Sequence, residues 1–147
     1  MRNEDLGLER KLMTKKKPVT GKKKILVMDD EDMVREVTAA MLSKLGYEVE
    51  IAVEGSEAIE MYIKAKESDQ TYDGVILDLT SKIGMGGKEA IKKLLEIDPD
   101  VKGIISTGYS YDPIVTKFRE YGFCGALTKP FTMNELSRTM IEAIVRD

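Results

Sequence analysis

Histidine and tryptophan are absent, and cysteine occurs once. Without histidine there is no Ser-His-Asp or Cys-His catalysis. His-containing zinc sites are excluded too, and one cysteine cannot build an all-cysteine site. Cys124 has no partner for an internal disulfide, which suits a reducing compartment. No apolar run approaches the ~18 residues of a membrane span, and the first residues, MRNEDLGLER, are charged where a secretory signal would be apolar. The expected location is the cytoplasm, with no membrane contact. What remains is carboxylate chemistry, and carboxylates favour hard cations such as Mg²⁺.

With 147 residues, 42% hydrophobic and 33% charged, the chain suits one domain with a proper core. The net charge of −3 hides an asymmetry. Residues 1–23 hold eight Lys/Arg against three acids, a balance of +5; residues 24–147 hold fifteen against twenty-three, a balance of −8. The acidic body argues against a nucleic-acid-binding face. Residues 1–22, with KKK at 15–17, read as a basic, flexible N-terminal extension, because charge blocks are usually solvated.

Beyond it, apolar runs alternate with helical patterns. ILVM at 25–28 reads as a buried strand. Met33, Val34, Val37, Met41, Leu42 and Leu45 follow at helical spacing, and Gly46 fits the left-handed position after a helix. YEVEIA at 47–52 alternates as a strand, and Ser56 is a candidate cap for a helix to about Glu67. GVILDL at 74–79 is apolar on both faces, as in a parallel sheet covered on each side. A helix over 87–96, the strand VKGIIST, the cap pair Asp112-Pro113, the short strand GALT and the capping box Thr132–Glu135 complete the pattern. Leu136, Met140, Ile141 and Ile144 share one face of the last helix. Strand–helix units repeated five times imply a parallel sheet with helices on both faces.

In such sheets ligands bind beyond the carboxyl ends of the strands. The first strand ends in Asp29 and Asp30, the third in Asp78, the fourth in Ser106-Thr107-Gly108, and the fifth is followed by Lys129-Pro130. Two like charges ~4 Å apart repel by about 4 kcal/mol at an effective dielectric of 20, so clustered carboxylates call for a shared cation. Each acid alone is equally what a solvated strand end or helix cap carries. Glu31 and Asp32 suit the first turn of the following helix, where negative charge is favoured.

Taken together, ILVMDDE, VILDL, the Gly86 region, IISTGYS and LTKPF resemble the receiver domain of two-component response regulators over residues 23–147. The subgroup most similar is the receivers of hybrid sensor kinases, which carry runs like DLT…GMGGKEA. The resemblance implies a flavodoxin-like, doubly wound five-stranded parallel sheet in order 2-1-3-4-5, with five helices in three layers. It implies that Asp78 accepts a phosphoryl group from a phosphohistidine of a sensor histidine kinase or a histidine phosphotransfer protein. Asp30 and Asp78 would hold Mg²⁺ directly with the main-chain carbonyl of Thr80, and Asp29 through water. Thr107 and Lys129 would contact phosphoryl oxygens, Gly108 would leave room for the group, and Lys129-Pro130 would be cis. Activity would be limited to self-phosphorylation and self-dephosphorylation, since no separate output domain fits in these 147 residues.

Three features depart from the family pattern. Ser81-Lys82 stands where Met-Pro is usual, Ala126 where an aromatic switch residue is usual, and the basic extension is additional. Tyr109 is a candidate replacement for the missing aromatic. Other readings are a flavodoxin, an aspartyl phosphatase built on Asp78-Leu79-Thr80, and a degenerate receiver that binds partners without phosphorylation. The acidic MDDEDM loop would repel a flavin phosphate, and aspartyl phosphatases place their nucleophile on the first strand.

Overall fold

The computed structural model describes residues 22–145. The elements run β1 (Lys24–Met28), α1 (Asp32–Lys44), β2 (Glu48–Ala52), α2 (Gly55–Glu67), β3 (Gly74–Asp78), α3 (Gly87–Ile97), β4 (Gly103–Thr107), α4 (Pro113–Thr116), a 3₁₀ turn (Phe118–Tyr121), β5 (Gly125–Thr128) and α5 (Met133–Met140), which ends in a π-helical turn (Ile141–Val145). The five strands are all parallel, in the order β2-β1-β3-β4-β5, as the resemblance implies. The expected basic extension falls on residues outside those described, apart from Lys22.

Alternation along the strands creates two cores, because successive side chains point to opposite faces. Leu26, Val75, Leu77 and Ile105 pack with Ala58 and Tyr62 of α2 and Ile91 and Leu94 of α3. Ile25, Val27, Ile76 and Ile104 pack with Leu42 of α1 and Leu136 and Met140 of α5. Every residue of β3 and β4 is buried, so both strands lie between helical layers. Burying one such aliphatic side chain contributes about 1.5–3 kcal/mol.

Register then aligns the strand ends. Met28 pairs with Leu77, Asp78 with Ser106, and Thr107 with Thr128. One residue beyond β1, Asp29 therefore lies alongside Asp78. Adjacent strands are about 4.8 Å apart, so the two carboxylates meet as a consequence of register. The Leu79 N–H donates to the Ser106 carbonyl at 2.8 Å, and the Lys129 N–H to the Thr107 carbonyl at 2.7 Å, which ties the chain beyond the strands into the same row.

Helix ends follow the sequence in most places. Gly46 has φ of 100° after α1, and the Tyr47 N–H donates to the Leu42 carbonyl at 3.0 Å. Asp112 caps the Ile114 N–H at 3.0 Å with Pro113 at the first helical position. The Thr132–Glu135 capping box is present. Two expectations need correction, the cap of α2 and the inward face of the last helix. The cap of α2 is Glu54, not Ser56; its carboxylate accepts the Ser56 N–H at 2.8 Å and the Met85 N–H at 3.0 Å. Negative charge at a helix N-terminus is favoured, and Glu54 adds a clamp on the β3–α3 loop. α4 lasts only four residues before the 3₁₀ turn, which Gly122 closes with φ of 98°. In the last helix Ile141 is exposed and Ala143 is buried with Leu136, Met140 and Ile144, because inward positions recur at i, i+4, i+7 and i+8. In α1 only Thr38 and Leu42 are buried; Met33 is 75% and Val37 52% exposed. Their helical spacing is real, but the stripe turns out of the core near its N-terminal end.

Candidate functional site

The run of four acids divides by burial. Asp29 is buried, Asp30 is half-buried, and Glu31 and Asp32 are exposed. Asp32 lies in the first turn of α1 and pairs with Arg35 at 2.6 Å. Glu31 occupies the cap position but makes no side-chain capping bond, so of the two only Asp32 engages the first turn as expected. Arg35 also donates to the Asp29 carbonyl at 2.9 Å. That bond ties α1 to the strand end, and its sequence signal is the i, i+3 pair Asp32–Arg35.

Asp29, Asp30 and Asp78 each offer a carboxylate oxygen within 4.8 Å of the others. Asp29 Oδ1 accepts the Glu31 N–H at 2.9 Å. Lys129 Nζ donates to Asp29 Oδ2 and to Asp78 Oδ1, both at 3.1 Å. Asp30 Oδ2 accepts the Lys82 main-chain N–H at 2.7 Å. Thr107 Oγ accepts the Tyr109 N–H at 3.1 Å. The Lys129-Pro130 bond is cis, as expected.

Like charges lie side by side here, and their cost is visible. Burial pushes the Asp78 carboxyl up to about 6; Lys129 draws it down, and Asp29 and Asp30 add to the rise. Burial is the larger cause of the rise, ahead of the like charges of Asp29 and Asp30. Burial alone would lower the Lys129 ammonium, but Asp78 and Asp29 outweigh it and the net shift is upward.

Mg²⁺ binds oxygens at about 2.1 Å in octahedral geometry, so its ligands lie ~3 Å apart when adjacent and ~4.2 Å apart when opposite. A 4.8 Å cluster of three carboxylates fits such an ion after small rotations or with a bridging water. Two close contacts draw the β3–α3 loop over the site. A Cβ on Gly87 would lie 2.7 Å from the Asp78 carbonyl oxygen, and one on Gly86 would lie 2.5 Å from that of Leu79. Beside Gly108 the space is open, with no atom within 4 Å of an added Cβ.

Asp30 and Asp78 open onto a cavity of about 530 Å³. Asp30, Asp78, Thr80, Lys82, Gly108 and Lys129 line its polar end, and Met33, Val37 and Phe131 its apolar side. Thus Asp29, Asp30, Asp78 and Lys129 converge, Thr80 and Gly108 border the same opening, and Thr107 closes the neighbouring strand β4, its carbonyl accepting the Lys129 N–H. Sequence reading missed Glu54 and the Lys82 N–H. A glutamate just before Gly55-Ser56 was the available signal for the first; the second is a main-chain contact that residue identity does not encode.

A model of the response regulator receiver domain matches residues 25–141. Response regulator GacA of Pseudomonas protegens is 36% identical over 122 residues, covering 82% of this chain and 53% of GacA. Sensor kinase CckA of Brucella abortus is 29% identical over 139 residues, covering 95% of this chain and 14% of CckA. The chain thus spans about half the length of one relative and a small part of the other. The crystal structure of response regulator TrrA from Thermotoga maritima, in complex with Mg²⁺ and BeF, is 30% identical; it matches with a TM-score of 0.72 over 83% of this chain and 99% of that one. Among the described residues no helix is long and apolar enough to cross a membrane. Sequence signature and fold agree: the chain belongs to the response regulator receiver domains.

Proposed function

We propose that this receiver accepts a phosphoryl group on Asp78 from the phosphohistidine of a sensor histidine kinase or a histidine phosphotransfer protein, and signals through the resulting conformational change. The observation that carries the reading is the placement of Asp78, buried at a strand end, 3.1 Å from Lys129 and clustered with Asp29 and Asp30.

An Asp78 oxygen forms the bond to phosphorus while the P–N bond of phosphohistidine breaks, and the nitrogen keeps the electron pair. With its carboxyl at about 6, Asp78 is largely ionised at pH 7 and ready to attack. Asp30, Asp78 and the Thr80 carbonyl would hold Mg²⁺, with Asp29 acting through water. Held by these residues, the ion would supply positive charge against that developing on the transferring oxygens. Lys129 exchanges a carboxylate contact for a phosphoryl oxygen, as a point charge. The Thr107 hydroxyl, which now accepts from Tyr109, donates to a second oxygen. Gly108 leaves the approach open.

The exposed Met33 and Val37 of α1 border the same cavity and suit the apolar face of a helical partner that presents its histidine to Asp78. A phosphorylation-independent binding module is the second reading, favoured by Ala126 and by Ser81-Lys82. Transfer from a labelled phosphohistidine domain decides between them. The proposed reading expects label on the native chain and none on Asp78→Asn; an unlabelled native chain with every phosphohistidine donor tried supports the binding module.

A further inference from the structure

Lys82 is the cation on the cavity wall with a free charge. Its main-chain N–H is fixed to Asp30 Oδ2 at 2.7 Å, so its backbone sits beside the carboxylate cluster. Its side chain is exposed and lines the opening that Asp78, Lys129 and Gly108 share. Among the described residues it forms no ion pair. Lys129, by contrast, is held by Asp29 and Asp78, both at 3.1 Å.

The charges facing the opening show what a free ammonium does there. Asp29, Asp30 and Asp78 supply three negative charges, and Lys129 offsets one. Glu31 adds a further negative charge on the α1 side of the rim. A divalent cation in the cluster offsets two more, leaving the mouth close to neutral or slightly negative without Lys82. An approaching phosphoryl donor is itself a dianion in its ordinary form, so it meets no attraction at the rim from the other groups.

We propose that Lys82 is a positioning residue for the phosphodonor: its ammonium contacts a non-bridging phosphoryl oxygen of the donor and selects dianionic phosphoryl groups before transfer to Asp78. The inference rests on Asp78 being the acceptor. A lysine ammonium on a flexible four-carbon stem suits this task, since it can follow the group from rim to acceptor. One charge ~6 Å from a dianion changes its capture roughly tenfold in water at low salt, and about threefold when screened at physiological ionic strength.

The test is the second-order rate of phosphoryl uptake from two small donors, read by intact mass. Acetyl phosphate is a dianion at neutral pH; its phosphoryl group passes to Asp78 as the P–O bond breaks and acetate leaves with the electron pair. Phosphoramidate, protonated on nitrogen, carries one net negative charge less. Lys82→Met should slow acetyl phosphate about three- to tenfold, slow phosphoramidate less, and flatten the ionic-strength dependence. Lys82→Arg should keep most of the rate. Mg²⁺ affinity supplies a readout that mere loop damage would move the other way. Removing a nearby cation should leave it unchanged or tighten it, whereas a disturbed loop that releases Asp30 would weaken it. Equal rates for Lys82→Met and the native chain, equal losses with both donors, or no rescue by Lys82→Arg overturn the inference alone. No uptake by the native chain overturns the acceptor assignment, and the inference with it.

Discussion

Replacing Asp78 with Asn should stabilise the metal-free protein at neutral pH, although it removes a 3.1 Å contact with Lys129. Two effects compete. Lys129 favours the charged carboxylate, but burial with Asp29 and Asp30 outweighs it and holds the carboxyl near 6 instead of 3.8. A group whose folded value is raised binds its proton more tightly in the native state. Its contribution to stability is therefore greatest below about pH 4, falls as pH rises through the window from 3.8 to 6, and is flat above it. The full shift would correspond to about 3 kcal/mol at 1.36 kcal/mol per pH unit. The carboxylate borders an open cavity, and screening from that side should make the difference smaller, about 1–2 kcal/mol. Asn carries no charge to desolvate, and Lys129 keeps Asp29. Urea unfolding of both proteins in chelator, at pH 4.5, 5.5 and 7, isolates the Asp78 contribution because other titrating groups cancel in the difference. Asp78→Asn should gain about 1–2 kcal/mol relative to the native chain between the lowest and highest pH. A difference independent of pH, or a variant that loses stability as pH rises, would refute the reasoning and mean that the Lys129 ion pair outweighs burial. Saturating Mg²⁺ should restore the native chain by about 2.7 kcal/mol at a hundredfold excess over its dissociation constant, and the variant by much less.

Asp30→Asn should weaken Mg²⁺ binding more than Asp29→Asn, since Asp30 is assigned direct ligation and Asp29 a water-mediated role. Calorimetric titration showing no loss in either variant would remove the proposed ion from this cluster. Ala126→Tyr should leave phosphoryl uptake within about threefold while changing the response of α4 and β5, because Ala126 has no ring to turn and a ligand shifts an equilibrium only through differential interaction with its states. Amide spectra with and without beryllofluoride check this. Large native responses along β5 that persist in both Ala126→Tyr and Tyr109→Ala would show that no aromatic is needed.

The sheet was legible because its strands are short apolar runs closed by polar residues at fixed places. GVILDL reads as a strand apolar on both faces and VKGIIST as a further strand, and the acids that close β1 and β3 marked the site. Strand order and the cis Lys129-Pro130 bond came from the resemblance; nothing in local pattern distinguishes them. Helix ends were legible where a residue type is committed to one task, as with Gly46, Asp112 and Thr132. They were not where a contact across the fold decides. Glu54 caps α2 because it also reaches the Met85 N–H, a contact 31 residues away in sequence. In α1, spacing marked the apolar stripe but not where the core stops covering it, which left Met33 and Val37 in solvent. The Lys82 contribution was hidden for the same reason: its N–H meets Asp30 across 52 residues.

The central claim is that Asp78 is the phosphoacceptor. Intact-mass measurement after incubation with acetyl phosphate and Mg²⁺ tests it most directly. The native chain should gain one phosphoryl group, lose it again in alkaline hydroxylamine as an acyl phosphate must, and gain none when Mg²⁺ is chelated. Asp78→Asn should gain none under any of these conditions. Uptake by Asp78→Asn at the native level, or no uptake by the native chain with Mg²⁺ present, would contradict the account.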